Sequence, residues 1–500
     1  MSPQVTSVLV EESAITLTLT IPVDLNADHP LAHLSNEGHI KEALRQAGQI
    51  ATQRLYQTIA DRHNAIAAYL DQDGYRLRQD DRSTMSCLSP YGHIEIDRPH
   101  FYNDYTGTSA TPFEHETRME QHRISPMMQY VPLRKLMDKG PAACAKDIAE
   151  DLPKRVSHHL IDEFLEHMGN RYEALKPELT ATVLEHGWQP AWLGCDADSD
   201  GAPSGPMSPP APGCALNDPA PPASGPTPLE RLPGRVPVVQ MDAMSVTVRR
   251  YHDTTPHDKG SGLKYHTERH HVYNAVVGML SPEGPREAGD KIDLQDRRFF
   301  SQYQGRDEVA RTVAHYVAAY GLQPGQTIIC QADGDDCLWE SLAGALSDYR
   351  RVEILDERHA RKNLKAMAEL SYGTAQGRGQ RWIDKRMDEL YEGQYRSFYY
   401  ALDYLVRRAP DPDTRDKLKT KRRYFRRHGK RIRYADFLDM GYPVSTCFVE
   451  SAHRHVIGDR LRTNGRSYRE DRLQMIADLR CEYKSQRLPY VFERLLETAA

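Results

Sequence analysis

Between Gly194 and Pro237 the chain offers nothing from which to build a core. The stretch GAPSGPMSPPAPGCALNDPAPPASGPTP is dense in Pro, Gly, Ala and Ser and carries no periodic apolar pattern. Such a segment cannot bury enough surface to offset the entropy of ordering it. It reads as a disordered linker over residues 194–235. The residues beyond it must fold as a unit of their own, which divides the 500 residues into parts of ordinary domain size.

After the linker, apolar periodicity alternates between two and 3.6. VPVVQMDAMSVTV, HHVYNAVVGML and KIDLQDRRFFSQY read as strands. EVARTVAHYVAAYG is an amphipathic helix ended by Gly321, TIICQADG a buried strand, CLWESLAGALSDY a helix, RVEILD a strand and ERHARKNLKAMAEL a helix. Three strands followed by alternating helices and strands predict a mixed α/β sheet flanked by helices. That strand–helix order is the order of the ribonuclease H fold. The catalytic unit would span 236–500, with a helical insertion at about 369–441 in which RWIDKRMDELYEGQYRSFYYALDYLVRRA repeats apolar residues at helical spacing.

The part before the linker is mostly α with a short β element. Val5–Val23 alternates as strands do, helical spacing runs from about Glu37 to Leu70, and GHIEIDRPHFY (Gly92–Tyr102) reads as a strand after a glycine turn, giving a region 1–115. Residues 116–193 are helical. Within Met127–Tyr172 two helices meet at a break near Pro153–Val156, and Ser157 is placed to cap the second. This predicts a helix-turn-helix that contacts DNA; an ordinary helical hairpin fits the same residues.

Composition narrows the class. Hydrophobic residues are 39% and charged residues 27%, as in soluble globular proteins. No apolar run approaches the roughly 20 residues that span a bilayer, and MSPQVTSVLVEESAITLTL lacks the two halves of a signal peptide, so a cytoplasmic protein without membrane contact is expected. The eight cysteines stand singly, with no CxxC pair to suggest a structural zinc. The net charge of −5 argues against a general nucleic-acid coat, and local clusters matter more than the sum.

Two acids stand out. Asp242 lies in the first strand after the linker, and Asp333 where the fourth strand ends, each in an apolar, β-prone run where an unpaired carboxylate is costly. The first and fourth strands of such a sheet are neighbours, and ligand sites gather at strand ends. Phosphodiester cleavage needs an activated water and a stabilised leaving oxygen, which two Mg²⁺ or Mn²⁺ ions supply when held by a few carboxylates, without any small-molecule cofactor. Asp335 and Asp336 fall further into the turn, where capping the next helix is their expected role.

From Asp242 onward the chain resembles bacterial insertion-sequence transposases of the DDE class, near the Kra-type and Mutator-like groups. The matching pieces are VVQMDAMSV, ICQADGDDCLWESL, ILDERHARKNL with its Asp-x-x-His step, and YADFLDMGYPVSTCFVESAHRHVIGDRLRTNGRSYREDRLQMIADLR. The resemblance implies that Glu450, in CFVES, is the third metal-binding carboxylate, about 117 residues after Asp333, and that a helical insertion fills the gap. It implies a transposase that cuts element ends and transfers the 3′-hydroxyl strand into target DNA. Double-stranded DNA at the bacterial nucleoid would be its partner, and two copies would hold two ends. A DNA-binding regulator derived from a decayed transposase, and a structure-specific nuclease of the same fold, are the alternatives. Asp356 and His359 are candidates to support the carboxylates, the Asp as a helix cap and the His beside DNA or the metals.

Two basic groups would meet phosphate. RDKLKTKRRYFRRHGKRIRY carries Lys421, Arg422, Arg423, Arg426 and Arg427, then Lys430, Arg431 and Arg433. Such density would repel itself without an anionic partner. Tyr424, Phe425 and Tyr434 could stack on a base or pack inward. His453, Arg454, Arg460 and Arg462 form the second group, beside Glu450. HTERHH reads as a strand lead-in, where His266 and His270 would not converge on a metal.

Overall fold

The computed structural model describes residues 4–11, 14–21, 30–66, 68–70, 76–103, 105–119, 123–151, 157–186, 236–251, 265–281, 284, 285, 287, 289, 290, 292, 294–373, 376–462 and 468–497. The linker expected at 194–235 and the break at Pro153–Val156 lie outside them. The chain divides into two compact units, and among the described residues the boundaries fall inside helices, between Met168 and Gly169 and between Val491 and Phe492.

In the first unit the N-terminal alternation becomes an antiparallel hairpin of β1 (Gln4–Val10) and β2 (Ile15–Thr20). The long helix α1 (Pro30–Asn64) starts earlier and ends sooner than its periodicity suggested. Residues at its far end belong instead to β3 (Ala68–Leu70), which pairs with β4 (Arg76–Ser89); β5 (Gly92–Tyr102) and β6 (Ser109–Ala110) complete an antiparallel sheet. Tyr56, Ile59 and Ala60 of α1 pack against Met85, Ile94 and Ile96 of that sheet. Four helices come next: α2 (Pro112–Thr117), α3 (Pro126–Asp138), α4 (Pro141–Asp151) and α5 (His158–His186). Ser157 caps α5 as expected, its hydroxyl accepting the Leu160 amide at 3.1 Å.

The second unit is built on a five-stranded mixed sheet. Its strands are β7 (Pro237–Tyr251), β8 (Tyr265–Leu280), β9 (Leu294–Tyr303), β10 (Thr327–Ala332) and β11 (Arg350–Leu355), in the order β11-β10-β7-β8-β9. The first three pair antiparallel, and β10 and β11 run parallel to β7. The helices α6 (Arg306–Ala319), α7 (Asp336–Ala345) and α8 (Glu357–Tyr372) alternate with the last two strands. Every one of these elements stands where its periodicity placed it. Period two puts Val239, Met241, Ala275 and Val277 on one face, where they share a core with Val309, Val313, Leu338 and Leu342 of α6 and α7.

The insertion is helical, as expected: α9 (Arg378–Tyr391), α10 (Tyr395–Arg407), α11 (Pro412–Arg427) and α12 (Tyr434–Asp439). After it come α13 (Cys447–Ala452), a π-helical turn (His453–Gly458), α14 (Asp459–Leu461), α15 (Glu470–Lys484) and α16 (Leu488–Glu497).

Both edge strands of the sheet are covered. On β9, the Phe299 and Tyr303 amides donate to the side chains of Ser485 and Gln474, and Gln474 returns a bond to the Ser301 carbonyl. On β11, the Leu355 amide donates to the Arg431 carbonyl at 2.9 Å, and the Arg431 guanidinium grips Glu353.

Candidate metal centre

A buried pair of amides sets the scaffold. Gln240 on β7 and Gln331 on β10 are fully buried side by side, and the Gln240 amide nitrogen donates to Gln331 Oε1 at 2.8 Å. Gln331 in turn donates to the Pro443 carbonyl. The Gln240 oxygen accepts the amides of Phe448 and Val449, at 3.1 and 2.9 Å, so a strand side chain satisfies the N-terminus of α13. The helix that bears Glu450 is thereby fastened to the strand that carries the first acid.

Parallel pairing of β7 with β10 sets Ala332 opposite Met241, so Asp242 and Asp333 emerge together at neighbouring strand ends. The same register on β11 sets Leu355 opposite Ala332 and brings Asp356 alongside. Asp356 is buried and caps α8: one oxygen accepts the His359 amide at 3.1 Å and bonds its Nδ1 at 2.9 Å, while the other accepts the Thr446 amide. With Nδ1 occupied, Nε2 of His359 is the nitrogen left to face the acids. Ligand atoms of Asp242, Asp333 and His359 all lie within 4.8 Å of one another. A carboxylate behind an imidazole that joins two acids is the arrangement of metal-bound histidine.

The electrostatics match a cation site. Burial, then the Asp333 charge, raise Asp242 from an ordinary 3.8 to about 6. Burial raises Asp333 as well. Burial also opposes ionisation of Asp356, but the bonds from His359 and Thr446 outweigh it and hold the carboxyl low. The bond to Asp356 raises His359. Among the described residues no lysine or arginine pairs with Asp242 or Asp333. A divalent cation fits this donor set of two carboxylates and an imidazole.

Glu450 is not part of the cluster. Its carboxylate is half exposed on α13 and paired with Arg358, the neighbour of His359. Asp335 caps α7 as expected, accepting the Cys337 amide at 3.0 Å. Asp336 instead pairs with Arg427.

Several expectations about charge need correction. The basic stretch does not lack acidic partners, because acids from other elements neutralise much of it. Arg422 and Arg426 pair with Asp403, Arg431 with Glu353 and Arg433 with Asp436, while Lys421 bonds Asn363. Among the described residues, exposed Arg423 and Lys430 carry no ion pair. Phe425 and Tyr434 are fully buried, and the Tyr424 ring lies against Gly334, so packing accounts for all three. Arg454 and Arg462 are exposed, whereas Arg460 is buried on the Tyr468 ring. His453 is no surface cation: burial lowers its pKa to about 4, and its Nδ1 lies 3.6 Å from Asp242. His266, Glu268 and His270 stand at alternate positions of β8 and so share a face, and both histidines bond the Glu268 carboxylate, at 2.7 and 2.8 Å.

The chain matches no known protein family and no curated protein. Among the described residues no helix is long and apolar enough to cross a membrane.

Proposed function

We propose that the chain is a metal-dependent DNA strand-cleaving and strand-transferring enzyme of the DDE transposase type. One observation carries this reading: Asp242, Asp333 and His359 converge within 4.8 Å at adjacent parallel strand ends. The strand order β11-β10-β7-β8-β9, with its antiparallel first half and parallel second half, agrees with a ribonuclease-H-like fold. So does a helical insertion between the second acid and the helix that bears Glu450.

Asp242, Asp333 and His359 would hold a Mg²⁺ or Mn²⁺ ion, and Glu450 with Asp242 a second. Bound there, such ions lower the pKa of water or a 3′-hydroxyl and neutralise charge on the departing oxygen. Asp356 keeps His359 in one tautomer and orientation. Gln240 fixes α13 against β7. The exposed Arg454 and Arg462, and Arg358 once released from Glu450, would grip a phosphodiester backbone. DNA duplex and a second copy of the chain are the proposed partners.

The Glu450–Arg358 pair also favours a second reading, a DNA-binding regulator whose third acid stays out of the centre. A nicking assay on a duplex carrying the element's terminal repeat, with Mg²⁺ or Mn²⁺, separates the two. Metal-dependent cutting that is lost in Asp242→Asn and Glu450→Gln, with DNA binding retained, supports the enzyme. Retained cutting in Asp242→Asn removes the assignment, and binding without any cutting by the native chain favours the regulator.

A further inference from the structure

The two faces of α10 differ sharply. Phe398, Leu402, Leu405 and Val406 are buried, while Arg396, Tyr400, Tyr404 and Arg408 follow one another at intervals of four along the opposite, exposed side. Arg407, seven residues after Tyr400, joins them. The row is about 17 Å long. Aromatic side chains contribute to a fold chiefly by being buried. Tyr400 is nonetheless 66% exposed and Tyr404 45%. A guanidinium lies over each ring, Arg407 over Tyr400 at 5.4 Å and Arg408 over Tyr404 at 5.8 Å from the centroid.

The charge of this row is uncompensated. Among the described residues Arg396, Arg407 and Arg408 have no ion pair. Asp403, the acid between the two tyrosines, is already held by Arg422 and Arg426 of α11, at 2.9 and 3.0 Å. Exposed arginines without acids attract phosphate. Rings and guanidinium planes stack on nucleobases, whose faces are open where a strand is unpaired. A duplex, or an acidic segment of protein, would satisfy the arginines and leave the ring faces unused. The tyrosines therefore decide between these partners. Through Asp403, α10 is tied to α11, and the Tyr424 ring of α11 meets Gly334 beside Asp333, so the row stands one helix away from the acids.

We infer that the exposed row of α10 is a docking surface for an unpaired nucleic-acid strand, with Tyr400 and Tyr404 stacking on bases and Arg396, Arg407 and Arg408 holding phosphates. The inference rests on the DNA reading above and adds a place for single strand outside the candidate centre. Every base has a face to stack, so the surface accepts strands with little regard to sequence.

Fluorescence anisotropy of the full chain with a labelled thymidine oligonucleotide, and with a labelled duplex, tests this without divalent metal, so that neither is cut. Replacing Tyr400 and Tyr404 together with Ala should weaken the oligonucleotide roughly ten-fold or more and leave the duplex within about two-fold. Replacing both with Phe, which keeps the rings, should retain the native affinity. Replacing Arg396 and Arg407 together with Ala should lower the slope of log affinity against log salt for the oligonucleotide by about 1.4. If the double Ala variant loses its native circular dichroism spectrum, Tyr400→Ala alone takes its place, with a loss of roughly three-fold or more. Native affinity for the oligonucleotide in the folded Ala variant would overturn the inference and leave the row to an acidic protein. So would an equal loss for oligonucleotide and duplex, or a native chain that binds duplex alone. A native chain that binds neither would instead overturn the DNA reading beneath it.

Discussion

At Asp242 protonation and cation binding compete for the same oxygens. Its folded pKa of about 6 exceeds the ordinary 3.8, so the fold favours the protonated acid. That contribution to stability is full below 3.8 and is lost as pH rises through about 6. Above pH 6 the ionised group costs the metal-free protein about 1–3 kcal/mol. Asp242→Asn should therefore raise the melting temperature of the metal-free protein at pH 7.5 and change it little at pH 4. Mn²⁺, which needs the ionised form, should stabilise the native chain more at pH 7.5 than at pH 5 and leave the Asn variant unmoved. Equal Mn²⁺ stabilisation of both proteins in thermal melts would refute this account.

Between elements, close approach does what charge cannot. A Cβ on Gly334, in the loop after Asp333, would fall 2.1 Å from the Tyr424 ring of α11. Gly334→Ala should cost about 1–3 kcal/mol in denaturant unfolding. Adding Tyr424→Ala should recover at least half of the loss, whereas additive losses would show that the two do not meet. The order of strands and helices after Val236 was legible because apolar periods of two and 3.6 are local. The strand β4 was not, because RLRQDDRSTMSCLS is too polar to alternate visibly and is held by its partners. Asp242 and Asp333 were legible from their apolar settings. His453 was misread as a surface cation because a residue type announces its charge and not its burial.

Over the molecule as a whole, the partners of the basic stretch change what DNA binding should look like. With Arg422, Arg426, Arg431 and Arg433 already engaged by acids, few cations of the insertion remain to displace counterions. Replacing Arg423 and Lys430 together with Ala should lower the slope of log affinity against log salt by about 2. Arg422→Ala should leave that slope within about 0.5 and destabilise the fold instead. A slope that falls equally in both would mean that the internal pairs open on binding.

The covered margins of the five-stranded sheet bear on how copies can associate. An open margin is a template for another chain, and at both margins some outward backbone groups are already taken: those of Phe299, Ser301 and Tyr303 by the side chains of Ser485 and Gln474, and the Leu355 amide by the Arg431 carbonyl. A second copy extending the sheet at these positions would first have to displace Ser485, Gln474 or Arg431. The pair of copies proposed above would therefore meet more readily through helical surfaces than by sheet extension at these positions. The insertion thereby shields the β11 margin, and a version trimmed of it would bare the Leu355 amide to a neighbouring strand.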